Sequence, residues 1–419
     1  MMLLHRNTAT PSDDQEKTSS PASSSTICLD DDTSSVRRNR RPPALVLMRC
    51  FRKTNFVFFL SAISFTFYFR AAYNLVNTII ENQDKTPGFM VLGMHRSGTS
   101  MLSGLLVEGF GYDMGQDKMK PSFDNEKGFY ERNDVVLQND EFLEAQRAGW
   151  SSDKIIGFDP QRAYNHKLLG RIKFKEGKKA LKFLNKFKIL PYLQKDPRMC
   201  ITLTTWLKLL DDEPAIVFTY RHPLEVALSL KSREAEMKKR KIEKEGNKTM
   251  TGNEDNLDEI TMERGFLLWI TYNMRALQNS MGLCRVFTTN EAVYDDPARE
   301  VQRIKDELTT KCNVIPPPRN EIPIEVVNAF VDPRLQHNKK GTKAGKENQK
   351  VLKDFGKGCV ALDFVSDHED KSSKRKKEIN MYLMAMQVYC DMERGLAYTE
   401  DYKWPDLAHW QRLFTISSS

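Results

Sequence analysis

Several familiar signals are missing from this 419-residue chain. Its seven cysteines include no C-x-x-C pair and no Cys/His group at ligand spacing, which argues against a zinc site and against a disulfide-framed miniprotein. No strong charge of one sign is present either. The 64 Lys+Arg and 56 Asp+Glu leave a formal charge of +8, spread along the chain. So mild a surplus is compatible with an anionic ligand and gives little support to a dedicated nucleic-acid binder. Hydrophobic residues make 40% and charged residues 29%, a balance that excludes wholesale disorder, a collagen-like fibre and a multi-spanning membrane protein.

The first 44 or so residues are rich in Ser, Thr, Asp and Pro and show no apolar period, so they read as a disordered tail. Asn55–Phe69 then carries no charge and is dense in Phe, Ile and Leu. Arg70 can snorkel and Ala71–Ile80 is again uncharged, so a single membrane-spanning helix is expected over 54–75. A buried core helix is the plain alternative. A cleaved signal peptide fits less well, because the run starts deep in the chain and no small-residue cleavage site follows. Arg37, Arg38, Arg40, Arg41, Arg49, Arg52 and Lys53 precede the run, while Arg70, Glu81, Asp84 and Lys85 after it balance. The positive-inside rule puts the tail in the cytosol and the rest in a lumen or outside. A short, Phe-rich span suits the thinner membranes of the secretory pathway, and the sequon Asn247-Lys248-Thr249 is compatible with that topology.

Phe89-Met90-Val91-Leu92-Gly93 reads as a buried strand. It runs into Met94-His95-Arg96-Ser97-Gly98-Thr99-Ser100 and then into Met101, Leu102, Leu105 and Leu106 at helical spacing. Strand, glycine-bounded loop and helix make a phosphate cradle, in which loop amides and the helix N-terminus face an anion. A ligand-free tight turn is the bland alternative. Thr99 stands where a nucleotide triphosphatase needs its Lys, which disfavours ATP chemistry, and Arg96 places a cation inside the loop instead. A second strand, Ala215–Tyr220, ends at Arg221-His222-Pro223, with Pro223 suited to a helix start and Ser229 within the first two turns. An arginine fork beside a hydroxyl is a good phosphate reader.

Gly93-Met94-His95-Arg96-Ser97-Gly98-Thr99-Ser100 resembles the 5′-phosphosulfate loop of sulfotransferases that use 3′-phosphoadenosine-5′-phosphosulfate (PAPS), in the branch reading G-x-H-R-S-G-T-S. Arg221 and Ser229 resemble that family's 3′-phosphate motif. Asn125–Glu131 resembles its N-x-x-G-F-x-E element, Lys195-Asp196-Pro197-Arg198 its K-D-P-R element, and Phe266–Leu277, with Trp269 and Tyr272, a late helix of its catalytic domain. Phe330–His337 resembles its F-x-D-P-x-L-x-H segment. The family's closing R-K-G-x-x-G is matched only in part, at Lys339-Lys340-Gly341. The resemblance implies an α/β fold with a P-loop-type central parallel sheet flanked by helices, preceded here by one transmembrane helix. It also implies PAPS as co-substrate, held by Arg96, Ser97, Gly98, Thr99, Ser100, Lys195, Arg221 and Ser229.

Sulfuryl transfer needs cations on the departing phosphate and a base for the acceptor hydroxyl. Arg96 is the choice for the leaving oxygen, with His95 assisting. Glu131 is the first choice for the base and Asp196 the second. The bland alternatives are a helix-entry charge pair of Glu131 with Arg132, and a structural knot over Lys195–Arg198. No metal is expected. The remaining expectations divide the chain into a basic cytosolic tail (1–53), anchor (54–75), short stem (76–86), catalytic domain (87–345) and C-terminal helical extension (346–419). A charged surface insertion at 231–258 includes Lys238, Lys239, Arg240 and Lys241 as a solvated helix face. In the extension, Ile379, Leu383, Met386 and Cys390 recur at helical spacing. Cys200, Cys284, Cys312, Cys359 and Cys390 are odd in number, so at least one stays unpaired within the chain. The expected function is transfer of sulfate to a hydroxyl or amine of an acceptor, by default a carbohydrate, in the Golgi lumen, with no nucleic-acid partner. A non-catalytic nucleotide- or glycan-binding module and a P-loop kinase are the rivals.

Overall fold

Four short strands, two of them largely aliphatic and aromatic, pair side by side, all parallel. They are β1 (Gly88–Leu92), β2 (Tyr192–Lys195), β3 (Ala215–Tyr220) and β4 (Arg285–Thr289), in the spatial order β2-β1-β3-β4. The computed structural model describes residues 44–123, 125–186, 189–245, 260–330, 359 and 373–407. Side chains are described from Ile63 onward, apart from 244, 245 and 373–376. Twelve helices surround or precede the sheet among these residues. They are α1 (Ala44–Glu81), α2 (Thr99–Phe110), α3 (Asn133–Glu144), α4 (Pro160–Leu168), α5 (Lys175–Leu184), α6 (Met199–Leu207), α7 (Pro223–Glu245), α8 (Met262–Asn279), α9 (Asn290–Asp295), α10 (Pro297–Thr310), α11 (Ile324–Phe330) and α12 (Ser373–Glu393).

Strand alternation divides the interior in two. Phe89 and Val91 of β1, with Ala215 and Val217 of β3, face α2 and α10, where Leu102, Leu105, Leu106, Phe110, Val301, Ile304 and Leu308 are buried. Met90 and Leu92, with Ile216 and Phe218, face the other way into a larger core built on α6, α8 and α12. Strands buried on both faces need near-continuous apolar runs, and every residue of β1 and β3 is buried, with Thr219 the polar exception in β3. The connection from β1 leads to β2 on one side, and that from β3 leads to β4 on the other. The crevice between the carboxyl ends of β1 and β3 is therefore a topological switch point, where open α/β sheets place ligands.

The anchor expected over 54–75 is not shown. Residues 44–81 form one continuous helix, but the side chains before Ile63 lie outside the described residues. The part beyond Ile63 carries Arg70, Asn74 and Asn77 among its apolar residues, and among the described residues no helix is long and apolar enough to cross a membrane. The chain divides into two units within α1, after Phe69, and the sheet belongs to the second. The first part of the charged stretch at 231–258 is helical, since α7 continues to Glu245, and Lys238, Lys239, Arg240 and Lys241 are exposed on it. The sequon at Asn247, the rest of the insertion to 258, residues 331–337, Lys339-Lys340-Gly341 and the tail before Ala44 lie outside the described residues.

Four cysteines pair, Cys284 with Cys312 and Cys359 with Cys390. Among the described cysteines Cys200 is the unpaired one. It is fully buried, its Sγ accepts the Gly93 N–H at 3.2 Å, and burial pushes its thiol up to about 12, so it packs and does not react. In α12 the buried residues are Met381, Tyr382, Ala385, Met386, Val388, Cys390, Asp391 and Met392, a set shifted from the stripe expected from spacing, in which Ile379 and Leu383 are only half-buried, because α12 is covered by both α7 and α8.

Gly93, where β1 enters its loop, shows how tightly this switch point is packed. A Cβ there would lie 2.5 Å from the Thr219 carbonyl oxygen and 2.8 Å from Thr99 Cγ2. Backbone on one side and a helix N-terminus on the other leave nothing that can swing away. Gly93→Ala should lower stability by about 1–3 kcal/mol, read as a shift of the denaturation midpoint at unchanged slope.

Candidate active site

The loop after β1 is shaped by two residues with left-handed backbone. Arg96 has φ 69° and Gly98 φ 79°. Only Gly adopts such a conformation without strain, so holding Arg96 there requires support from its surroundings. That support is visible. Arg221 Nη1 donates to the Arg96 carbonyl oxygen at 3.4 Å, and Arg96 Nε donates to Ser229 Oγ at 3.0 Å. The two motifs recognised separately in the sequence are thus bonded to each other across the β1–β3 crevice. α2 begins at Thr99 immediately after Gly98, and its free N–H groups point toward the loop's concave side. Ser97 is fully buried and its Oγ has no hydrogen-bond partner, an unsatisfied donor in the cradle itself. Asn290, at the start of α9, closes the loop from outside, its Oδ1 lying against Gly98.

A second cluster lies beside the first turn of α2. Lys195, the last residue of β2, has no exposed side-chain surface and donates to Ser100 Oγ at 3.2 Å and to Glu131 Oε1 at 2.5 Å. Glu131 arrives from the segment before α3, after Gly128 at φ 96° and Tyr130 at φ 53°, with its own carbonyl accepting the Met119 N–H at 2.8 Å. These turns bend the chain so that the carboxylate faces the loop. Burial pushes the Glu131 carboxyl above its ordinary value; Lys195 opposes that shift and Asp196 adds to it. Among the described residues no hydrogen bond reaches its second oxygen. The helix-entry pair with Arg132 does not form, because Arg132 instead pairs with Asp134 at 2.6 Å.

Asp196 is used differently. Its Oδ1 accepts from Arg198 N at 3.1 Å and from Arg198 Nη1 at 3.0 Å, and its Oδ2 accepts from Asn139 Nδ2 at 2.7 Å. Asn139 Oδ1 in turn accepts from the Thr202 hydroxyl and the Trp206 indole, each at 2.7 Å. This is the structural knot over Lys195–Arg198, and it joins β2, α3 and α6.

His95 is packed between Trp150, 4.5 Å away between ring centroids, and Tyr272 at 5.6 Å. Burial, then the positive field of Arg198, Arg233, Lys195 and Arg96, holds the imidazole well below its ordinary value, so it is neutral near pH 7. Its Nε2 is buried without a partner. Trp150 carried no sequence signal, since nothing local marks a residue that reaches the loop from so far along the chain. Its carbonyl accepts from the Tyr272 hydroxyl at 2.8 Å, and Arg264 clamps the next carbonyl, that of Ser151, at 2.6 and 3.0 Å. Glu225 holds Arg221 at 2.9 Å and could have been read from its i,i+4 spacing. Among the described residues no group of three or more His, Cys, Asp or Glu is placed to hold a metal ion.

No protein-family model matches the chain, and no curated protein matches it. Among solved structures it is similar to the sulfotransferase domain from the Synechococcus PCC 7002 olefin synthase, at 13% identity and a TM-score of 0.36, over 76% of this chain and 95% of that one. It is also similar to the sulfotransferase domain from the curacin biosynthetic pathway, at 13% identity and a TM-score of 0.31, over 64% of this chain and 99% of that one. Likeness at this level says nothing of chemistry, which has to come from the residues of the site.

The Asp196 knot makes a stability prediction. Removing the carboxylate leaves the Arg198 guanidinium, which is 13% exposed, with Asp140 as its one remaining ion-pair partner. Asp196→Ala should therefore destabilise the fold by about 3–5 kcal/mol, measured by chemical denaturation. A loss below the cost of an ordinary surface substitution would contradict the structural role.

Proposed function

We propose that the chain is a sulfotransferase that moves a sulfuryl group from PAPS to a hydroxyl or amine of an acceptor. The observation that carries this is the bond between two anion-reading corners. The Gly93–Ser100 loop and the Arg221–Ser229 corner share hydrogen bonds through Arg96, so they are built to be filled together by one ligand. A nucleotide with separate 5′ and 3′ phosphates has that shape. A nucleoside triphosphate needs one extended cradle and, in this loop, a Lys where Thr99 stands.

In the transfer, an acceptor oxygen forms a bond to sulfur as the bond from sulfur to the 5′-phosphate oxygen breaks. The acceptor proton passes to Glu131, and adenosine 3′,5′-bisphosphate leaves. Arg96, the α2 amides, Ser97 and Thr99 take the charge that gathers on the 5′-phosphate. Lys195 adds a cation from outside the loop, held beside Ser100, so the absence of a loop lysine does not leave the cradle short of charge. Neutral His95 serves as a hydrogen-bond partner, not as a cation. Arg221, aimed by Glu225, reads the 3′-phosphate, with Ser229 beside it. The base is assigned to Glu131, whose free oxygen is available, while both oxygens of Asp196 are occupied.

The acceptor proposed is a carbohydrate, and the setting proposed is the Golgi lumen, with anchorage through the helix over 54–75. Two disulfides support an oxidising compartment. The exposed aromatics Phe65, Phe67, Tyr68, Phe69 and Tyr73 support contact of that helix with lipid.

Calorimetric titration with adenosine 3′,5′-bisphosphate, beside ATP with Mg²⁺, tests the donor class. The bisphosphate should bind and ATP should not. Preference for ATP would overturn the reading in favour of a kinase. A second expectation concerns pH. Only ionised Glu131 can accept the proton, so turnover should fall as pH drops through an apparent pKa above the usual carboxylate range. Glu131→Gln should lower kcat by about 10²- to 10⁴-fold, remove that acid limb and keep bisphosphate binding. Turnover left intact would sink the base assignment.

A further inference from the structure

The C-terminal helix reaches the corner that carries Arg221. In the last turn of α12, the half-buried Tyr389 ring sits edge-on to His222, with centroids 5.0 Å apart. The same ring lies 6.0 Å from Tyr220 and 6.4 Å from Trp269. All three neighbours bear on Arg221. Tyr220 and His222 flank it in the chain, and the Trp269 indole donates to the Arg221 carbonyl oxygen at 2.8 Å. Around Tyr389 the helix is itself pinned. Cys390 is disulfide-bonded to Cys359, and Glu393 accepts the Tyr220 hydroxyl at 2.7 Å. The Tyr398 hydroxyl, just beyond α12, donates to the Tyr220 oxygen at 3.3 Å.

The phenol of Tyr389 also lies within the field of Glu225 and Glu291, which both act on the Arg221 corner. A guanidinium makes two good hydrogen bonds to a phosphate only when its plane and direction are right. At its far end, that direction is set by Glu225 and the Arg96 carbonyl. At its near end it is set by the backbone from Tyr220 to His222, and this is the stretch that Trp269 and Tyr389 enclose. The strand–helix unit bearing the motif therefore does not aim its own arginine unaided.

We propose that Tyr389 is a positioning residue for the 3′-phosphate subsite, fixing the Tyr220–His222 backbone so that Arg221 faces the phosphate. The inference rests on the donor reading above and extends it to a helix that lies outside the two phosphate motifs.

Its test compares adenosine 3′,5′-bisphosphate with adenosine 5′-monophosphate, which lacks the group Arg221 would read, by calorimetry on the full chain. The wild-type chain should prefer the bisphosphate. Tyr389→Ala should cut that preference by about tenfold, with any loss of monophosphate affinity smaller than the loss for the bisphosphate, since Arg221 also supports the Arg96 loop. Tyr389→Phe, which keeps the ring, should restore it. Tyr389→Leu, which keeps an apolar side chain in the core but loses the ring edge, is read in the same way and stands in if the alanine variant does not fold. An unchanged preference in the Ala or Leu variant overturns the inference, as does an equal loss for both nucleotides, which is what a merely structural residue would give. A wild-type chain with no preference fails the donor reading instead, so the two failures are distinguishable.

Discussion

The buried ammonium of Lys195 is the constraint around which the site is organised. It sits at the end of β2 with no exposed side-chain surface, bonded to Ser100 on α2 and to Glu131 before α3. Taking an ammonium and a carboxylate out of water costs several kcal/mol each, and their attraction regains that only with good geometry. Apolar residues of the same volume would stabilise the fold at least as well. Keeping the pair makes physical sense when a further anion is to be bound nearby, because the cation is then already desolvated and aimed. Glu131 holds Lys195 in place, and Lys195 keeps the Glu131 carboxylate from being lost to protonation altogether. Burial still wins for Glu131, whose affinity for a proton is raised. A carboxyl poised in this way is a better base near neutrality than an exposed one.

Arg96 illustrates the same economy on the other side of the loop. A non-glycine residue with left-handed backbone carries strain, and here the strain is held by contacts that come from the second anion corner. Ser229 accepts from Arg96 with its oxygen, which leaves its own proton free to be donated elsewhere. One hydroxyl can thus orient the loop cation and address a second phosphate at once. The separation of β1 and β3 by a single inter-strand spacing is what makes this possible, since both loops leave the sheet at adjacent carboxyl ends.

What could be read from the amino-acid sequence divides along physical lines. The strand–loop–helix turns at the β1 loop and the Arg221 corner were legible because apolar strands followed at once by Gly or Pro and a helical pattern mark them, whereas their phosphate role stays with the proposal. The parallel sheet followed from the same strands, whose runs are apolar almost throughout. Glu131 was legible as a candidate, but not its bond to Lys195, since the two are brought together only by the order of strands β2 and β1. The fate of Asp196 was open for a similar reason: its partner Asn139 lies on α3, and no local pattern announces that meeting. Trp150 and Tyr389 gave no signal. Each reaches the site by tertiary packing, and an aromatic residue in a core-facing helix or loop looks the same whether it touches a functional residue or not. In the described half of α1, Arg70 and the asparagines set the limit, because a helix can be long and exposed without being apolar enough to span.

The electrostatics of the assembled crevice bear on which group is transferred. Around the loop lie Arg96, Lys195, Arg198 and Arg221; Lys195 is matched by Glu131, Arg198 by Asp196 with Asp140, and Arg221 by Glu225, while Arg96 is bonded to Ser229. Burial together with the surrounding cations keeps His95 neutral, so it adds no charge. The field available to a ligand is therefore smaller than the count of cations suggests. A transferring phosphoryl group carries its charge on three equatorial oxygens and is ordinarily met by metal ions as well as by lysine and arginine. A sulfuryl group carries less charge, and most of what must be stabilised is the departing phosphate. On the proposed reading, a cradle of amides, hydroxyls and one strained arginine is matched to that smaller demand, and the paired carboxylates would keep the corner from over-binding a product whose phosphate has gained charge.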